Sequence, residues 1–180
     1  GLTWDGVEDK ESLRAIDAAL AAGVNFIDTA PGYGWGHAEE IIAKALKGRR
    51  DKAVIATKCG IWWEDNRGAF HAHLDGKDVY ISLRPETIQI EVENSLRRLD
   101  TDYIDLYQTH WPSKEPDLTP IEDTMACLMK LKDAGKIRAI GVSNVSLEQL
   151  EENGACGPVV SDQFRCSMLY REPEAHILPY

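Results

Sequence analysis

The sequence predicts an α/β protein with a parallel sheet, and three observations carry that prediction. Short apolar runs rich in β-branched residues alternate with amphipathic stretches along the 180 residues. The apolar runs are continuous, the pattern of strands covered on both faces. Polar and ionisable residues stand at or just past the ends of several runs, where parallel barrels build their active sites.

In chain order, residues 11–22 form the first helix, because Leu13, Ile16, Ala19 and Leu20 recur at helical spacing and Gly23 follows as a stop. Val24-Asn25-Phe26-Ile27 is a buried strand that ends in the turn chemistry of Asp28-Thr29-Ala30-Pro31-Gly32. The same reading predicts helices over 37–46, 85–99 and 121–134, a short helix after Ser146, and strands over 53–57, 103–108, 137–142 and 159–163. An open dinucleotide-binding sheet should carry G-x-G-x-x-G after its first strand, and Asp28 to Gly36 (DTAPGYGWG) lacks that spacing. A barrel is therefore expected. A complete barrel of this kind takes ~250 residues and eight strands, whereas five strands are legible here. The expectation is a single barrel domain over residues 1–180, incomplete at both ends. Residues 60–82 break the rhythm with a long polar stretch, far beyond the usual connection of ~2 to 6 residues. It is expected to be a loop covering the barrel mouth.

Asp28, Tyr33, Lys58 and His110 lie at or after strand ends, which share one rim in a parallel barrel. A lysine following an apolar strand needs an anion, and Asp28 on the neighbouring strand end is the candidate. An ammonium beside a phenol stabilises the phenolate as its proton leaves, which suits Tyr33 to general-acid work. Reduction of a carbonyl needs that acid, a second donor on the carbonyl oxygen and a source of hydride. His110 suits the second donor. Each residue alone has a plainer role: Asp28 as a turn residue, Lys58 as a surface lysine, Tyr33 as a loop aromatic, His110 as a hydrogen-bonded histidine. Their joint placement favours chemistry.

These residues sit in motifs that run in order along the chain: Gly23-Val24-Asn25-Phe26-Ile27-Asp28-Thr29-Ala30 with Tyr33, then Ala56-Thr57-Lys58, then Ser95-Leu96-Arg97-Arg98-Leu99 with Asp102-Tyr103-Ile104-Asp105-Leu106. Gln108-Thr109-His110-Trp111 and Gly135-Lys136-Ile137-Arg138 with Gly141-Val142-Ser143-Asn144 complete the set. The sequence resembles the aldo-keto reductases. That resemblance implies a (β/α)8 TIM barrel and an oxidoreductase that reduces an aldehyde or ketone with NADPH. It implies Tyr33 as general acid, the Lys58–Asp28 pair as its tuner and His110 as the residue orienting the carbonyl. On the cofactor side it points to Asp28, Ser143, Asn144 and Gln163. Cys166 occupies the position where the family often carries a tyrosine stacked on the nicotinamide, a departure that loosens the expected hold on that ring. The grip on the adenosine phosphate is expected beyond Tyr180, so NADP rather than NAD rests on the resemblance alone. Ser143-Asn144-Val145-Ser146 also reads as a helix start, since Ser and Asn are favoured N-caps. Trp62, Trp63 and Trp111 are expected near the rim, either walling a small carbonyl substrate together with Tyr33 and His110 or packing the long loop.

Rival readings are weaker. His71-Ala72-His73 is an HxH pair of the kind that holds zinc in hydrolases, but no apolar strand surrounds it to align both imidazoles. Lys58 as a Schiff-base nucleophile conflicts with an ammonium held by Asp28. A non-catalytic regulatory subunit, similar to the reductase-like β subunits of potassium channels, stays open. Thirty acidic against twenty basic residues give a formal net charge of −10, which disfavours nucleic acid. No segment approaches a membrane span, and four cysteines without C-x-x-C spacing point to reduced thiols and the cytoplasm. A homo-oligomer is left open.

Overall fold

The computed structural model describes residues 8–180. Five parallel strands make the main sheet: β1 (Phe26–Asp28), β2 (Val54–Cys59), β6 (Ile104–Thr109), β7 (Ile137–Ser143) and β8 (Val159–Gln163), in that spatial order. Three short antiparallel strands, β3 (Ile61–Trp62), β4 (Ala69–Leu74) and β5 (Lys77–Ile81), form a second sheet ordered β3-β5-β4. The helices are α1 (Asp9–Ala21), α2 (His37–Ala45), α3 (Pro85–Arg98), α4 (Ile121–Asp133), α5 (Leu147–Cys156) and the short α6 (Pro173–His176).

The main sheet grows in one direction, each strand beside the one before it, and helices α1 to α5 pack neighbour against neighbour in chain order. A doubly wound sheet would reverse direction and divide its helices between two faces. Here the helices form one outer layer and the sheet curls into half of a barrel.

The core lies between the helices and the sheet. Ile42, Leu46, Ile55, Ile88, Val92, Leu96, Tyr107, Met125, Leu128 and Ile140 are buried there. Fully burying one such aliphatic chain contributes about 1.5–3 kcal/mol, so this interface is the main source of cohesion. The helix stops also follow from local chemistry. Gly23 and Gly135 adopt φ of +84° and +74° immediately after α1 and α4, where a residue without a β-carbon is favoured. Ser146 caps α5 with a full capping box, its Oγ accepting from the Gln149 N–H and the Gln149 side chain accepting from the Ser146 N–H.

The five main strands agree in position with the sequence expectation to within a residue or two, but the first, expected to be buried, leaves Val24 and Phe26 more than half exposed because β1 is an edge strand, and two further differences matter. The first strand begins at Phe26 and includes Asp28, and the second extends through Lys58 to Cys59. Lys58 is thus a strand residue, paired in register with Gln108. Residues 60–82, expected to be a loop, contain all three strands of the second sheet. The overlooked signal is Asp75-Gly76 between two runs of strand formers. Asp75 at φ +50° and Gly76 at +76° form the two-residue turn that joins β4 to β5.

Candidate active site

Parallel pairing places the C-terminal ends of β1, β2, β6, β7 and β8 on one rim. Asp28 closes β1, Lys58 lies one residue before the end of β2, and His110 directly follows β6. The His110 N–H continues the ladder by donating to the Cys59 carbonyl at 2.9 Å. Tyr33 comes five residues after Asp28 on a tight turn, its N–H bonded to the Ala30 carbonyl at 3.0 Å.

The Lys58 side chain is buried among these ends. Its Nζ donates to both carboxylate oxygens of Asp28 at 2.9 Å and to the Thr29 carbonyl at 2.8 Å. Its three donors are therefore satisfied, which is what a buried ammonium requires. Asp28 stays about one-third exposed. The Tyr33 ring centre is 5.2 Å from the same Nζ, and the ring meets His110 edge-on at 6.0 Å between centroids. The sequence placed Asp28, Tyr33, Lys58 and His110 on one rim, and the structure links them in a chain of contacts from Asp28 through Lys58 and Tyr33 to His110.

Burial drives the His110 pKa down to about 4, helped by the Lys58 charge and opposed by Asp28. The ring is neutral at pH 7 and carries a single proton. Its Nδ1 is buried without a hydrogen-bond partner among the described residues.

On the other side of the rim, Ser143 pairs in register with Gln163, and the Asn144 N–H donates to the Gln163 carbonyl at 3.0 Å. Asn144 adopts φ +59°, and its Nδ2 donates to the His110 carbonyl at 2.9 Å, bracing β6 against β7. The helix-cap reading of this segment belongs to Ser146, because it is the residue that caps α5. Ser143 is left with a buried hydroxyl that has no partner among the described residues. Gln163 is exposed on β8, and Cys166 is exposed three residues farther on, before the Ser167–Tyr170 bridge.

The tryptophans separate. Trp62 is 2% exposed, its indole N–H bonded to Asp65 and its face covered by Arg67, so it packs the second sheet. Trp63 meets Trp35 edge-on at 5.3 Å. Trp111 is 39% exposed and lies 6.2 Å from the His71 ring. His71 and His73, expected outside any strand, both lie on β4. They nonetheless face separate partners, His71 toward Trp111 and His73 through Nδ1 to Asp78 at 2.8 Å, with a bulge at His71. Among the described residues no group of three or more His, Cys, Asp or Glu is arranged to hold a metal.

A buried acidic layer beneath the rim escaped the sequence reading. Glu39 of α2 accepts from the Thr57 hydroxyl at 2.7 Å and from Arg98 Nε at 2.6 Å. Glu91 of α3 accepts the Gly60 N–H with both carboxylate oxygens, at 2.9 and 3.1 Å. The signal was spacing. Glu39 stands three residues before Ile42, and Glu91 three after Ile88, so each carboxylate occupies a position of the apolar stripe.

Comparison with known proteins agrees with the geometry. The family model described as the aldo/keto reductase family matches residues 1–180. Aldo-keto reductase YhdN of Bacillus subtilis (strain 168) is 46% identical over 182 residues, an alignment covering 100% of this chain and 51% of that protein. The NADH-specific methylglyoxal reductase of Escherichia coli (strain K12) is 44% identical over 181 residues, covering 99% of this chain and 55% of that protein. Among solved structures, the glycerol dehydrogenase AKR11B4 from Gluconobacter oxydans superimposes with a TM-score of 0.85 at 44% identity, over 98% of this chain and 51% of that one. The chain spans about half the length of the curated relatives it matches. With strand order, rim chemistry and sequence in accord, the chain belongs to the aldo/keto reductase family.

Proposed function

We propose that this protein reduces a small aldehyde or ketone to an alcohol, with Tyr33 giving the proton to the carbonyl oxygen. The observation that carries the reading is the buried Lys58 ammonium, held by Asp28 and Thr29 with the Tyr33 ring 5.2 Å away. A nicotinamide nucleotide would supply the hydride when bound. The residues present fit such a group: the orphaned Ser143 hydroxyl, the Asn144 side-chain carbonyl and Gln163 at the edge of β8 offer the donors and acceptors that a carboxamide needs. Asp28, about one-third exposed at the end of β1, would add a further polar contact. Cys166 offers no aromatic face for stacking.

The chain's own residues then divide the work. Asp28 and the Thr29 carbonyl keep the Lys58 ammonium in place. That fixed positive charge stabilises the Tyr33 oxygen as it gives up its proton. His110, neutral and with no acceptor at its buried Nδ1, carries its proton best on Nε2 and uses it to hold the substrate oxygen. Trp111 supplies an apolar wall for the substrate beside it, while Trp62 packs the second sheet.

The family resemblance favours NADPH, whereas the Escherichia coli relative is named NADH-specific. The test therefore follows oxidation of each nucleotide with a panel of small aldehydes that includes methylglyoxal. Tyr33→Phe should lower turnover on the order of 10²- to 10⁴-fold and leave nucleotide binding intact. Wild-type turnover in Tyr33→Phe refutes the proton-donor assignment. Nucleotide binding by the wild type without turnover of any carbonyl favours a regulatory nucleotide-binding subunit.

A further inference from the structure

Tyr33 has no side-chain hydrogen bond among those of the described residues, so its ring is placed by contacts with Lys58 and His110 and by its backbone. That backbone is unusual. Gly34, Trp35 and Gly36 follow in succession with φ of +61°, +57° and +96°. The left-handed region suits the two glycines and is costly for a residue with a β-carbon such as Trp35. Gly36 is further confined, since a β-carbon there would lie 2.5 Å from Arg98 Cδ.

What holds Trp35 in this conformation is the tip of the β4–β5 hairpin, forty residues away in sequence. The indole Nε1 donates to Asp75 Oδ2 at 3.1 Å. Lys77 Nζ sits 4.6 Å from its ring centre, and Trp63 packs edge-on against it. Asp75 and Gly76 form a two-residue turn with both φ positive, a rigid platform for that anchor. At another point of the same hairpin, His71 packs against Trp111, the residue after His110. One small sheet thus touches the loops that carry both polar groups facing the substrate.

We propose that Trp35 is a positioning residue, which docks the Tyr33 turn onto the hairpin tip and thereby sets where the Tyr33 hydroxyl meets the substrate. The consequence for turnover rests on the proton-donor role of Tyr33; the structural coupling of hairpin to phenol does not. The second sheet is then part of the acid's mounting as well as a cover for the mouth.

The test uses protein labelled with 3-fluorotyrosine, in which the Tyr33 resonance is the ¹⁹F signal absent from Tyr33→Phe. Asp75→Gly removes the acceptor and keeps a residue suited to the turn, and Trp35→Phe removes the donor while retaining a smaller aromatic ring. Both should shift the Tyr33 resonance and lower turnover on the order of 10-fold, with nucleotide affinity unchanged. Asp78→Ala, which removes only the partner of His73 on the same hairpin, should do neither. In a Tyr33→Phe background, Asp75→Gly should cost no further turnover. An unmoved resonance in Asp75→Gly and Trp35→Phe overturns the inference, as does an equal shift in Asp78→Ala. A shifted resonance together with full turnover in Tyr33→Phe leaves the coupling standing and removes the proton-donor reading instead.

Discussion

Replacing Glu91 by glutamine should change how stability depends on pH, and the structure sets both sign and size. Glu91 is 5% exposed on α3 and accepts the Gly60 N–H with both oxygens. Burial raises its pKa from the ordinary 4.5 to about 8, against the opposing pull of the Gly60 N–H and Arg98 and with support from Glu39. Between those two values the folded protein keeps a proton that the unfolded chain has released. Stability from this group is therefore complete below about pH 4.5 and is lost as pH rises toward 8. The slope is at most about 1.4 kcal/mol per pH unit, which bounds the whole loss at about 5 kcal/mol. Glutamine is nearly isosteric and can accept the same N–H, but it has no proton to lose. The assay is urea denaturation of both proteins at pH 5, 6, 7 and 8. Glu91→Gln should gain on the wild type as pH rises, and the comparison cancels every other titrating group. Parallel profiles for the two proteins refute the reasoning.

Asp105 should be a second stability centre. Its side chain is 12% exposed and accepts from Arg50 at 2.6 Å, from the Ile55 N–H at 2.9 Å and from Arg138 at 3.0 Å. Asp105→Asn should cost about 2–3 kcal/mol, read as a lower urea midpoint at unchanged slope. Ser146→Ala breaks the capping box of α5 and should cost about 1 kcal/mol, with turnover unaffected because its hydroxyl bonds only within the first turn of α5, to Glu148 and the Gln149 N–H. For His110, the imidazole should titrate near 4 by NMR and stay neutral from pH 5 upward. Since its folded pKa lies below the ordinary 6.5, its contribution to stability is present above 6.5 and lost as pH falls toward 4. A titration midpoint near 6.5 would contradict the buried placement of the ring.

Much of the fold was legible because apolar periodicity reports burial directly. Continuous apolar strands and amphipathic helices are consequences of a sheet covered by helices, and both repeat along the whole chain. The grouping of the candidate residues was legible for a related reason. Asp28, Lys58 and His110 interrupt apolar strands at their C-terminal ends, and parallel pairing forces those ends together. The 60–82 segment misled because its hairpin is short and half-exposed, so polar residues outweigh the alternation that Asp75-Gly76 organises.

By itself, then, the sequence determined the class of fold, the order of its strands and the membership of the rim, since each follows from local pattern and chain order. Only the tertiary structure decided the rest. It left the Ser143 hydroxyl unpartnered among the described residues, buried Trp62 to 2% exposure, and joined Glu39 to Thr57 and Arg98 and Glu91 to Gly60. It also joined Trp35 to Asp75 across forty residues. The physical reason is common to all four. Burial, hydrogen-bond satisfaction and the pKa of a buried acid depend on neighbours brought by distant parts of the chain, and no local pattern records who those neighbours are.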